Sequence, residues 1–366
     1  MSENHGEKTM QPPISEYAKY LKNLVPVDIQ KHFALKPIFK ELNSEEEIRN
    51  AIIAFRDFLV LFCDGLIKDG HLYAKPKKTN NPTDYPFLHN MTNLLVDIGY
   101  YGKLSENGNS LLIVEIPLCS APKPKISAPA LGECLRFLSS LGFSFANLDL
   151  NSKKLELPKI LPFEVSFPDN PALLLGLKVM SVADMELRES RRYWNDHYLL
   201  GLNYRLILAQ APDELMLLRN FLNPLPGKVK EFALDLHDHF TKMGLTCAFS
   251  RRSDVHFAYS LVRKSNQNLS EQDIYQKRIW EFSSSMKHGY CLVIRARKTE
   301  KYSAVIENFP LPLKAIIKRG YGCDRKLWGE RCQGSCQGFR LPLNIELLEM
   351  KEEIKVWLDN EVKFSK

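Results

Sequence analysis

The chain has 366 residues, of which 45% are hydrophobic and 25% charged, and it carries a formal net charge of +7. Those proportions exclude a disordered or fibrous chain, and the length predicts two domains. Met1 to Pro12 are polar and lack the apolar core of a secretory signal, and the most apolar run, Phe58 to Phe62, is hemmed by Arg56, Asp57 and Asp64. No stretch approaches the ~18 apolar residues that span a bilayer. A cytoplasmic protein without a membrane partner is expected.

In chain order, residues 1–30 are expected to be a flexible segment, 31–190 a first α+β domain, and 191–366 a second one. The first strong signal is Ser44, followed three residues later by Glu47. That spacing is a capping box, and it predicts a helix start. Ile48, Ile52, Phe55, Leu59 and Phe62 then recur at helical spacing, with Gly65 as the expected stop. Lys75 to Asp84 has the composition of an exposed loop.

A pattern then appears four times: an apolar helical stripe, a glycine, and two strand-like runs. Phe87 to Ile98 ends at Gly99, Leu131 to Leu141 at Gly142, Val229 to Met243 at Gly244, and Tyr275 to Met286 at Gly289. A glycine just past the last turn closes a helix, and an alternating pair of runs predicts a hairpin. Two such units in tandem bury their apolar faces as a four-stranded antiparallel sheet with helices on one face. Residues 86–160 and 228–310 are therefore expected to be two similar halves of an α+β protein. Between them, Asn170-Pro171 predicts a helix start, residues 197–209 read as a buried strand, and Pro224 to Gly227 separate a short helix from the third unit. Ile345 to Leu358 predicts a closing helix.

Eight cysteines occur in the chain. Cys63, Cys134 and Cys291 sit among apolar neighbours and read as small buried hydrophobes. Cys323, Cys332 and Cys336 instead fall within fourteen residues of a glycine-rich basic loop. Thiolates are soft ligands that zinc binds tetrahedrally, so this trio is a candidate metal site, with Cys291 or His288 as the fourth ligand if the fourth unit folds back. Their spacing is not the C-x2-C of a zinc ribbon, and free thiols in an ordered loop are the competing reading. Gly334 to Gly338 formally matches a nucleophile elbow but lacks its strand-turn-helix context. Neither a Walker A nor an H-E-x-x-H motif occurs.

Trp194, Asp196 and His197 form a polar, aromatic patch that is a candidate pocket. His237 and His239 lie two residues apart on a predicted helix, so they project to different sides and cannot share a metal. They are expected to be solvent-facing. The first unit has the helix-hairpin order of a winged-helix DNA reader, but its helix is expected to expose Asn90, Thr92, Asn93 and Asp97 with no basic residue.

Charge is concentrated near the C-terminus. Between Lys287 and Arg340 there are twelve lysines and arginines against four carboxylates, so the rest of the chain is close to neutral. Within a predicted hairpin spanning Tyr290 to Ile306, alternation places Arg295 and Arg297 on one face, and Lys318 and Arg319 follow on a short helix. These four are candidate anion-binding residues, for an acidic partner, a small ligand or a nucleic acid, with salt-dependent affinity. The leading functional expectation is a non-enzymatic protein that binds a small ligand or a partner; the alternative is a zinc-thiolate protein, which could be an enzyme.

Overall fold

The computed structural model describes residues 13–73, 85–117, 126–152, 155, 160–189, 199–210, 213–249, 255–261, 277–286, 288–319 and 338–366. They form an α+β protein with two antiparallel sheets, and the chain divides into two compact units, Met1–Asp213 and Glu214–Lys366. No helix among the described residues is long and apolar enough to cross a membrane.

The first unit contains α1 (Ile14–Leu24), α2 (Pro37–Lys40), α3 (Glu45–Tyr73), α4 (Pro86–Tyr101), β1 (Lys103–Leu104), β2 (Leu111–Ile113), α5 (Ala128–Ser140), β3 (Ser144–Ala146), β4 (Phe163–Ser166) and α6 (Ala172–Glu189). The capping box opens α3 as its spacing dictates: the Glu47 amide donates to Ser44 Oγ at 3.3 Å, and that hydroxyl donates to the Glu47 carboxylate at 2.8 Å. α3 does not stop at Gly65. It continues to Tyr73, because Gly65 lies where Phe137 and Leu141 press against the helix, with Leu141 Cδ2 only 2.9 Å from where a Cβ would stand.

Gly99 is likewise inside α4 and marks a helix crossing. A Cβ there would meet Ser181 Oγ and stand 2.5 Å from the Leu177 carbonyl oxygen on α6. Gly176 of α6 approaches the Ala51 carbonyl of α3 in the same way. These approaches let α4 be buried nearly all round, and Thr92, Asn93 and Asp97 are buried with its apolar residues. The expectation that these three are exposed is therefore wrong, and α4 presents no surface to a DNA groove. Thr92 turns its hydroxyl back onto the Leu88 carbonyl at 2.9 Å, which satisfies it within the helix.

The strands of this unit lie in the order β1-β2-β4-β3. The expected four-stranded antiparallel sheet is present, with Gly108 at φ +71° turning the first hairpin and Gly142 at φ +101° ending α5. The pairing partner of β3 differs from expectation: it is β4, with Phe145 opposite Val165. The strand-like run before it falls at residues 153–159, most of which lie outside the described set. Residues 199–208 form two 3-10 turns, Leu199–Gly201 and Tyr204–Ile207, and not the expected strand. Leu202 adopts φ +43°, a left-handed conformation that no extended strand can accommodate.

The second unit contains α7 (Glu214–Leu222), α8 (Gly227–Lys242), β5 (Thr246–Phe249), β6 (Val255–Ser260), β7 (Trp280–Ser285), β8 (Gly289–Ile294), α9 (Ser303–Ile306), α10 (Leu311–Arg319), β9 (Phe339–Pro342) and α11 (Lys351–Ser365). Its five strands pair in sequential order. The third helix-hairpin unit is as expected, with Gly244 at φ +92° closing α8 before β5 and β6. The fourth is not. Its supposed helix is β7, every residue of which is buried as far as Ser284, and Gly289 at φ +62° sits in the β7–β8 turn.

A strand buried on both faces loses its alternation, and the residue spacing of β7 then imitates a helical stripe. Trp280 and Phe282 join the main apolar core with Phe240, Leu292, Ile294 and Trp357, while Glu281 and Ser283 are buried on the other side. Among the described residues the two units thus differ in strand number and order. The closing helix begins with a 3-10 turn, Glu346–Met350, and runs as α11 through Ser365.

Candidate functional site

Trp194, Asp196 and His197 lie outside the described residues, as do Cys323, Cys332 and Cys336. Lys318 and Arg319 fall in the last turn of α10. Among the described residues no group of three metal-binding side chains occurs. Cys63, Cys134, Cys247 and Cys291 are buried and form no disulfide among the described residues. Burial raises the Cys291 thiol to about 11, and its sulfur donates to the His288 carbonyl oxygen at 3.2 Å, so it is held as a protonated core thiol. Burial also raises the Cys63 thiol to about 12.

His237 is buried, not solvent-facing, because its Nδ1 meets the Tyr259 hydroxyl at 2.9 Å inside the core. The Tyr259 ring stacks on Trp280 with centroids 3.6 Å apart and planes within 6°. This pair fills the core and has no route to substrate, since Tyr259 is fully buried. His239 projects elsewhere, as spacing dictates, and its Nε2 meets the Asp359 carboxylate of α11 at 2.9 Å.

Arg295 and Arg297 are brought together, though not on a hairpin. The β8 ladder ends at Ile294, and residues 299–306 turn into a 3-10 turn and α9. The stretch between still follows β7's leading end, with the Arg295 amide donating to the Ile279 carbonyl at 2.8 Å. At that edge lies a cleft of about 730 Å³. Its cationic lining comprises Lys277, Arg278, Arg295, Arg297, Lys298 and Lys301. Leu261 and Ile279 supply its aliphatic wall, and Glu300, Glu361 and Ser365 complete it.

Two carboxylates set the geometry of this cleft. Glu281, 1% exposed, forms an ion pair with Arg278 Nε through one oxygen and accepts a hydrogen bond from Arg295 Nη2 on the other, each at 2.6 Å. Both guanidinium groups are thereby fixed against β7. Arg295, at 9% exposure, is a clamped wall residue, whereas Arg297 is exposed.

Glu361 fixes the opposite wall. It accepts the backbone N–H of Arg297 at 3.0 Å and of Lys298 at 3.1 Å. The Tyr302 hydroxyl donates to it as well, and in turn accepts Trp357 Nε1 at 3.0 Å. Burial raises the Glu361 carboxyl above the usual range, against the lowering effect of these donors. Lys277, Lys298 and Lys301 have no ion pair among the described residues, which leaves three ammonium groups facing one ligand-sized space.

A second hollow of about 420 Å³ lies at the start of α5, lined by Glu133, Arg136, Leu150 and Asn151 among others. Arg136 spends its guanidinium on the Leu150 carbonyl at 3.1 Å, and Glu133 opposes its charge. It offers no concentrated potential to a ligand.

Sequence reasoning found Arg295 and Arg297 through the local charge excess. It missed Lys277 and Arg278, because they precede a strand that reads as a helix. Glu281 and Glu361 were also missed, although a signal exists. Each carboxylate stands among apolar core positions, between Trp280 and Phe282 and one turn after Trp357, where a charge needs a partner.

No family model, curated protein or solved structure matches the chain.

Proposed function

We propose that the second unit is a non-enzymatic binding module for a small anionic ligand, held in the cleft at the edge of β7 and β8. The observation that carries this reading is a 730 Å³ cleft lined by six cationic side chains. The volume lies in the range of small-molecule sites, and a cleft whose described lining carries six cations against the carboxylates of Glu300 and Glu361 concentrates counter-ions. Binding without catalysis is favoured by the state of the carboxylates: Glu281 is committed to two guanidinium groups and Glu361 to two amides and a hydroxyl. Both carboxylates thereby serve to build the walls of the cleft.

The test is calorimetric titration of the full chain with citrate and with tripolyphosphate at low and physiological salt. The parent is compared with Lys298→Glu/Lys301→Glu, whose folding is checked by its thermal midpoint. Salt-sensitive binding of either anion by the parent, lost in the folded variant, is expected. If that variant does not fold, Lys277→Glu replaces it. Failure of both anions to bind, or equal binding by parent and variant, overturns the reading.

A further inference from the structure

Resting on that reading, we infer that the ligand is a compact molecule bearing two or more clustered phosphate groups, free or as the headgroup of a lipid. Charge density makes the first argument. Three ammonium groups without ion pairs among the described residues, Lys277, Lys298 and Lys301, share the cleft with Arg297 and the clamped Arg278 and Arg295. Glu281, Glu300 and Glu361 offset part of this charge, and balancing the remaining cationic excess in this volume takes several negative charges on few atoms. A phosphate monoester carries about −1.5 to −2 at neutral pH and three acceptor oxygens, so two or three phosphates suffice where a carboxylate scaffold needs a carbon for each single charge.

Donor geometry makes the second. A guanidinium group offers planar pairs of donors that match phosphate oxygens, and Arg297 brings an exposed one to the cleft. Glu281 pairs with Arg278 and Arg295 on one wall, and Glu361 fixes the backbone that carries Arg297 and Lys298 on the other. The cleft is therefore ordered before its ligand arrives, which lowers the entropic cost of binding.

The third argument separates this ligand from a nucleic acid. Single strands are held by aromatic side chains on which bases stack. Among the described lining residues none is aromatic; their apolar contribution is Leu261 and Ile279, which can flank a small aliphatic ring but give no stacking plane.

The experiment titrates the full chain with inositol hexakisphosphate, tripolyphosphate, orthophosphate, citrate and an oligouridylate. The clustered phosphates are expected to bind at least about tenfold more tightly than citrate or orthophosphate. That preference should vanish in Lys298→Glu/Lys301→Glu and, independently, in Lys277→Glu. A sedimentation arm with phosphatidylcholine vesicles, with and without phosphatidylinositol bisphosphate, separates the sources: capture by the doped vesicles alone assigns a lipid headgroup, and no capture assigns a soluble phosphate.

Citrate binding as tightly as the clustered phosphates, with the same sensitivity to the variants, overturns the phosphate assignment and leaves an anion-binding cleft standing. Tighter binding of oligouridylate, lost in the same variants, overturns it in favour of a nucleic acid. If no anion binds, both readings fall together.

Discussion

Glu361, near the end of the last helix, accepts the backbone N–H of Arg297 at 3.0 Å and so ties α11 to the segment that walls the basic cleft. The same carboxylate holds the Lys298 amide and the Tyr302 hydroxyl, so three residues depend on one buried acid. Glu361→Ala strands two amides and a hydroxyl without an acceptor, and is expected to cost about 3 kcal/mol in chemical denaturation.

The same residue carries a pH signature. Burial, the largest cause, raises its carboxyl above 4.5; the Tyr302 hydroxyl and the Lys298 and Arg297 amides oppose the rise, and Glu300 adds to it. A raised folded-state pKa favours the fold while the group is protonated. That contribution is complete below the unfolded value and is lost as pH climbs through the raised one. The stability of the parent relative to Glu361→Gln should therefore decline as pH rises from 4.5. A constant difference across that range would refute the assignment.

Gly99 and Gly176 set the spacing of α3, α4 and α6. Gly99→Ala gains about 1 kcal/mol of helix propensity but drives its methyl into Ser181 and the Leu177 carbonyl. Overpacking of this kind costs ~1–3 kcal/mol, and because one of the obstructing atoms is backbone the upper part applies, so a net loss near 2 kcal/mol is expected. Gly201→Ala is the control, since nothing lies within 4 Å of its added carbon. Denaturation midpoints should fall for the first and hold for the second.

These glycines also show where sequence reading succeeds and where it fails. Gly142 and Gly244 take positive φ after amphipathic helices, so the stripe and the stop agree and both helices are legible. At Gly99 the identical signal has another cause, the approach of a second helix, which no local pattern contains. β7 failed for a related reason: burial on both faces erased the alternation that identifies a strand. The site was half legible. The charge excess led to Arg295 and Arg297, but their difference in burial follows from Glu281, which is set by cross-strand pairing and not by neighbours in sequence.

His237 gives a second pH dependence, of opposite sign. Burial lowers its pKa below 6.5, against the raising influence of Asp238 and Glu214. A depressed histidine must discharge on folding, so its contribution to stability is full above 6.5 and is lost as pH falls through the folded value. Replacing it with glutamine, which can still bond the Tyr259 hydroxyl, should flatten the parent's loss of stability below 6.5. Parallel curves for the two proteins in urea unfolding would remove His237 from the account.

Arg295 and Arg297, two residues apart in one cleft, are expected to respond oppositely to the same substitution. Arg295 is a buried partner of Glu281, and Arg295→Glu would place a second carboxylate against one that is 1% exposed. Breaking a buried pair while adding a like charge should cost at least about 3–5 kcal/mol, because neither group can reach water. Arg297 is exposed, and its link to Glu361 runs through the backbone N–H, which glutamate at this position also supplies. Arg297→Glu should leave stability within about 0.5 kcal/mol of the parent, while reversing one charge at the cleft. Thermal denaturation therefore separates the two: a sharp fall for Arg295→Glu and almost none for Arg297→Glu. Anion titration of the folded Arg297→Glu variant then reads the cleft alone, and its affinity for tripolyphosphate should drop with a weaker dependence on salt. Equal thermal losses in the two variants would show that Arg297 is a structural residue like its neighbour, and undisturbed anion binding by folded Arg297→Glu would take it out of the site.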